Sequence, residues 1–139
     1  MATPKRPNAT AQPQAKKNAR KGGRRVLFVE DDELVAGGVA SLLEMEGFAV
    51  QTVDRGLAVV DAVKSFEPDA LILDVTLPDI SGVEVFRRVR RRWPDLPVIF
   101  STGYGDGQVA ALKGNAVEML QKPYEIADLL SALKRLIRS

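Results

Sequence analysis

Three short runs of uninterrupted apolar residues constrain this chain more than any other feature: Val26-Leu27-Phe28-Val29, Ala70-Leu71-Ile72-Leu73 and Val98-Ile99-Phe100. Each is bounded by charged or turn residues and is shorter than a helix needs. A strand wet on one face would alternate apolar and polar residues. An unbroken apolar run is what a strand covered on both faces requires. Two weaker segments suit the edges of the same sheet: Ala49 to Val53, interrupted by Gln51, and Val117-Glu118-Met119-Leu120, which carries a charge.

Helical spacing fills the intervals between these runs. Val35, Val39, Leu42 and Leu43 recur with that period before Gly47, a plausible C-terminal stop. Val59, Val60, Val63 and Phe66 repeat it before Pro68, and Phe86, Val89 and Trp93 before Pro94. Ile126, Leu129, Leu130, Leu133 and Ile137 form the clearest stripe. Gly105 to Gly114 holds Gly107 and only Val109, Ala110, Ala111 and Leu112 to pack, so the helix expected there is short or mobile. The reading is an α/β fold, (βα)5, with a doubly wound five-stranded parallel sheet. Right-handed crossovers place functional groups beyond the carboxyl ends of its strands.

The net charge of +2 is unevenly spread. Lys5, Arg6, Lys16, Lys17, Arg20, Lys21, Arg24 and Arg25 stand among residues 1–25 with no acid, so the remainder carries an excess of acidic groups. Pro4, Pro7 and Pro13, with no large apolar residue after Met1, make residues 1–24 a basic tail that cannot repay its ordering entropy by burial. Residues 25–139 are expected to be the single folded domain, without an attached output domain. No signal-peptide core or membrane-length apolar stretch occurs, and a cytoplasmic location without membrane contact is expected. The tail would give only weak, salt-dependent attraction to nucleic acid, since no aromatic residue stands among its charges.

The absence of cysteine and histidine narrows the chemistry further. Disulfides, thiolate metal sites, cysteine nucleophiles and imidazole bases are excluded, and a metal would have to be held by oxygen. In strand order 2-1-3-4-5 the first and third strands are neighbours, which brings Glu30 and Asp31 beside Asp74. Three carboxylates in one pocket repel one another unless a cation joins them, and Mg2+ with retained waters suits such a site. Strand four runs into Ser101-Thr102-Gly103 and strand five into Gln121-Lys122-Pro123.

At this point the chain resembles the receiver domain of two-component response regulators, a flavodoxin-like fold, over residues 25–138. The resemblance rests on Val26-Leu27-Phe28-Val29-Glu30-Asp31-Asp32, on Leu71-Ile72-Leu73-Asp74-Val75-Thr76-Leu77-Pro78-Asp79 followed by Gly82, on Ser101-Thr102-Gly103 and on Lys122-Pro123. It implies that Asp74 is the phosphoacceptor. It also implies that Asp31, Asp74 and the backbone carbonyl of Thr76 hold Mg2+, with Glu30 acting through water. Lys122 and the Thr102 hydroxyl would meet phosphoryl oxygens, and Pro123 would follow a cis bond. The inward-swinging aromatic of such domains falls at Met119, with Tyr104 as its candidate substitute.

The implied function is a phosphorylation-dependent signalling switch rather than an enzyme, its only catalysis being its own phosphoryl transfer and acyl-phosphate hydrolysis. The implied donor is a sensor histidine kinase or histidine phosphotransfer protein, and the switch would modulate protein–protein contacts. The alternative is the receiver segment of a hybrid histidine kinase. A haloacid-dehalogenase-like phosphohydrolase would want an acid where Thr76 stands, and a flavodoxin-like carrier would want glycine and hydroxyls where Glu30 and Asp31 stand. Taken singly the residues have plainer readings: Asp32 and Glu33 as a helix start, Lys122 as a surface lysine, Thr102 as a turn residue, and Arg87 to Arg92 as a solvated helix face.

Overall fold

The computed structural model describes residues 24–103 and 116–137. The basic tail, Tyr104 and the expected helix between Gly105 and Gly114 lie outside these described residues, except that Arg24 is included. The elements run in chain order β1 (Arg25–Val29), α1 (Glu33–Met45), β2 (Ala49–Val53), a 3-10 turn (Gly56–Ala58) and α2 (Val59–Phe66). They continue through β3 (Ala70–Asp74), α3 (Gly82–Arg92), β4 (Val98–Thr102), β5 (Val117–Gln121) and α4 (Ile126–Ile137).

The five strands form one sheet in the order β2-β1-β3-β4-β5, as expected, and every pairing is parallel. The central strands β3 and β4 are buried at every position, whereas the edge strand β2 has no buried residue. Strand alternation divides the core in two. Val26, Phe28, Ile72 and Ile99 pack with Ala36 and Leu43 of α1 and with Leu129 and Leu133 of α4. Leu27, Val29, Leu71, Leu73 and Phe100 pack on the other face with Val59 and Val63 of α2 and Val83, Phe86 and Val89 of α3.

Two sequence expectations are corrected in detail. In α1 the core-facing residues are Ala36, Val39 and Leu43, while Val35 and Leu42 are 40% and 44% exposed. Both lie about a turn's fraction off the stripe that Leu43 defines, so apolar identity alone misassigned them. The arginine run in α3 is not uniformly solvated. Arg90 lies over the Phe86 ring at 4.9 Å and donates to the carbonyls of Trp93 at 3.1 Å and Leu96 at 2.6 Å, closing the end of α3. Arg87 and Arg88 do face outward, each within ion-pair distance of Glu84 one turn back.

Candidate phosphoryl and metal site

The side chains expected to act together leave the sheet by the same alternation that builds the core. Glu30 continues the series of Val26 and Phe28, Asp74 that of Ala70 and Ile72, and Lys122 that of Leu120. All three therefore emerge beyond the strand ends toward the same side. Glu30 and Asp74 are buried, at 4% and 6% exposure, and Asp31 is exposed at the rim. One carboxylate oxygen from each of Glu30, Asp31 and Asp74 lies within 4.8 Å of the others.

Lys122 reaches into this cluster from β5. Its Nζ donates to Asp74 Oδ2 at 3.1 Å and to Glu30 Oε1 at 3.3 Å, and its backbone N–H donates to the Thr102 carbonyl at 2.7 Å. The Lys122–Pro123 peptide bond is cis. Burial acts to lower the pKa of Lys122, but the hydrogen bond and charge of Asp74, together with Glu30, outweigh it and hold the ammonium above the ordinary lysine value. Glu30 is moved the other way from a salt-bridged acid. Burial pushes its carboxyl up and the charge of Asp74 adds to that, while the Asp32 amide and Lys122 oppose. A buried acid pair sharing one ammonium is short of positive charge.

Two loops fix the acids. After β1, Asp32 caps α1, its Oδ1 accepting from the N–H groups of Leu34 at 3.0 Å and Val35 at 3.2 Å, so its plainer reading holds. Its own N–H donates to Glu30 Oε2 at 3.2 Å. After β3, the Thr76 N–H donates to Asp74 Oδ1 at 3.0 Å and the Val75 N–H to the Ser101 carbonyl at 3.0 Å. Gly82 then starts α3 tightly against the strand it left. A Cβ there would lie 2.8 Å from Val75 Cα and closer still to the Asp74 carbonyl oxygen, so only glycine fits without moving the backbone beneath Asp74.

Thr102 is buried at the end of β4, in register with Gln121. It follows Val98 and Phe100 in alternation, so its side chain belongs to the opposite face of the sheet from Asp74. Met119, paired with Phe100, is half-buried against the α2–α3 side of the core, on Thr102's side of the sheet. Two contributors were not singled out by sequence. Tyr124 sits among the site's charges, its hydroxyl pKa raised by burial, with Lys122 opposing and Glu30 adding. Asp79 ties the β3–α3 loop to the turn after β2, a long-range contact with no local sequence signal beyond its place after Pro78.

The donor set fits a hard divalent cation: three clustered carboxylates, two of them buried, and no histidine or cysteine in the chain to offer nitrogen or sulfur. Comparison with known proteins agrees with this architecture. Transcriptional regulatory protein CreB of Escherichia coli is 36% identical over 115 residues, 81% of this chain and 50% of CreB. Response regulator MprA of Mycobacterium avium is 34% identical over 116 residues, 82% of this chain and 51% of MprA. The chain thus spans about half the length of these curated relatives. Among solved structures, the receiver domain of sensor histidine kinase PA1611 from Pseudomonas aeruginosa, with magnesium in its active-site cleft, superposes with a TM-score of 0.75 at 27% identity, covering 84% of this chain and 99% of that one. A response regulator from Chloroflexus aurantiacus gives 0.76 at 30% identity, covering 84% and 99%. The model of the response regulator receiver domain matches residues 26–134, from the first residues of β1 to the last turns of α4, and the chain accordingly belongs to that family.

Proposed function

We propose that residues 25–139 act as a phosphorylation-controlled switch in which Asp74 is the acceptor, and that residues 1–24 are an appended basic tail. The observation that carries this reading is the convergence of Lys122 Nζ on Asp74 at 3.1 Å and Glu30 at 3.3 Å, inside a cluster whose acidic oxygens lie within 4.8 Å. A carboxylate is already ionised near neutral pH, so Asp74 needs no base to attack phosphorus. An Asp74 oxygen forms the new P–O bond as the P–N bond of a partner's phosphohistidine breaks, and the electron pair leaves with the imidazole nitrogen. The chain has no histidine, so the donor is a sensor histidine kinase, a histidine phosphotransfer protein or a small acyl phosphate.

Glu30, Asp31, Asp74 and the Thr76 carbonyl would hold Mg2+, which supplies compensation for charge on the equatorial phosphoryl oxygens. Lys122 would move from the carboxylates to a phosphoryl oxygen once one is present. Thr102, whose side chain leaves β4 on the opposite face from Asp74, would have to move to bring its hydroxyl to another. Met119, packed on Thr102's side of the sheet, would respond to that movement, and Tyr104 would take the aromatic's part. Phosphorylation need favour one arrangement by only about 1–3 kcal/mol to change which protein surfaces bind. Water attack on the acyl phosphate resets the switch. Among the described residues no helix is long and apolar enough to cross a membrane. A cytoplasmic location belongs to the same proposal, because that is where a phosphohistidine donor would meet Asp74.

Intact-protein mass spectrometry after treatment with acetyl phosphate and MgCl2 tests this. One phosphoryl group should appear, be lost in base and hydroxylamine, and be absent with EDTA or in Asp74→Asn. Equal labelling of the Asn variant rejects Asp74 as acceptor.

A further inference from the structure

The turn between β2 and α2 lacks a cap of its own. Arg55 occupies the N-cap position of the Gly56–Ala58 turn and makes no side-chain capping bond. The two leading amides are instead taken by a residue from another loop: Asp79 Oδ1 accepts from the Gly56 N–H at 2.8 Å and Asp79 Oδ2 from the Leu57 N–H at 2.7 Å. The fit is close. A Cβ on Gly56 would come within 2.7 Å of both Ile80 and Val85 and 3.3 Å of Asp79 Oδ1, so glycine lets the turn seat directly under the β3–α3 loop.

Residues 75–81 leave β3 carrying Thr76 and return at Gly82, whose N–H donates to the Val75 carbonyl at 2.8 Å. The loop is thus pinned at its two roots. Along its span, Asp79 makes the bidentate tie to a neighbouring loop. Burial acts to raise the pKa of this carboxyl, yet the Leu57 and Gly56 amides bring it down to about 2, so it is an anion throughout the physiological range.

The geometry points to Asp79 as a positioning residue for the cation site: by clamping the β3–α3 loop to the turn after β2, it holds the Thr76 carbonyl where the Glu30, Asp31 and Asp74 oxygens can share a metal with it. This rests on the proposed reading of those four residues as the Mg2+ site. Asp79 itself touches neither metal nor phosphoryl group. Its effect passes through the loop backbone, as outer partners of metal ligands generally act.

The test is an NMR titration of the 15N-labelled full chain with MgCl2 at constant ionic strength, well below the melting temperature. Wild type should saturate, with shifts at Thr76 and Asp31. Asp79→Ala should raise the Mg2+ Kd about tenfold, the lower end of the range for an outer partner, and Asp79→Asn by less. A merely structural residue would lower Tm and leave Kd in the folded variants within about twofold of wild type, which would overturn the inference.

A second readout needs no variant. Because coupling is reciprocal, saturating Mg2+ should slow exchange of the Gly56 and Leu57 amides more than that of Trp93 at the far end of α3. Equal slowing at all three would also overturn it. Failure of wild type to bind Mg2+ at all would reject the site reading and this inference together, whereas tight wild-type binding with unaffected Asp79 variants would reject only the latter.

Discussion

The loops that follow β1 and β3 both deliver acids to the same pocket, yet they are held by different means. The first is brief. Residues 30–32 pass straight into α1, and Asp32 secures them by satisfying two amides within three residues of itself. The second spans residues 75–81 and depends on partners far along the chain, Ser101 through its carbonyl and Gly56 and Leu57 through their amides, while at its end Gly82 returns against Asp74 and Val75 in a contact that tolerates no side chain. A loop held by a local cap can be read from a tetrapeptide. One held by tertiary contacts can be tuned from elsewhere, and it is the one that carries Thr76.

The sharpest way to break this contrast is Gly82→Ala. The added methyl cannot relax without moving the backbone of Asp74 and Val75, and we expect a loss of about 3 kcal/mol, the upper part of the usual overpacking range, by urea denaturation. A loss near zero would show that the long loop yields as easily as a surface turn. Removing Lys122's ammonium with Lys122→Met should come next. It leaves Glu30 and Asp74 without their shared donor, and a loss of about 1–2 kcal/mol at pH 7 in EDTA is expected, discounted because the lysine side chain is 33% exposed. An unchanged melt would mean that the ion pairs are not formed in solution.

The short loop should respond less. Asp32→Ala ought to cost about 1 kcal/mol, the value of an N-cap, and leave residues 75–81 unmoved in amide chemical shift. Propagation of shifts into that segment would erase the distinction between the two loops.

The smallest effect has the most informative sign. The Glu30 pKa is raised from 4.5, so between 4.5 and the folded value the native state binds more protons than the unfolded chain. Stability of the metal-free protein should therefore fall as pH rises through that window and be level above it. Glu30→Gln should flatten this slope, be neutral or slightly stabilising at pH 7 in EDTA, and abolish most of the Tm gain on adding Mg2+. A destabilised Gln variant in EDTA would mean that Lys122 overcompensates the acids.

Much of the fold was legible because its signals are local and periodic. Uninterrupted runs such as Ala70 to Leu73, too short for a helix, are what doubly covered strands require, and they proved to be the central ones. The acids at the strand ends were legible for the same reason, since a parallel sheet sends successive carboxyl ends to one edge. Alternation alone even sorts Glu30, Asp74 and Lys122 from Thr102. What periodicity misjudged was the inner face of α1, where four apolar residues compete for a stripe that Ala36, Val39 and Leu43 occupy. Arg90 was misjudged too, because a guanidinium lying over the Phe86 ring and bonded to two backbone carbonyls gives a charged residue a half-buried place.

The order of residues determined by itself the element types, the parallel sheet, the oxygen-only chemistry imposed by the absence of histidine and cysteine, and the acids at the strand ends. Tertiary structure alone decided that Lys122 bridges Asp74 and Glu30, that burial raises the pKa of Glu30, and that Asp79 caps a turn more than twenty residues away. The division has a physical cause. Periodicity and termini are properties of neighbouring residues, whereas a shared ammonium, a desolvated carboxyl and a borrowed cap exist only once distant segments have been brought to within hydrogen-bonding range.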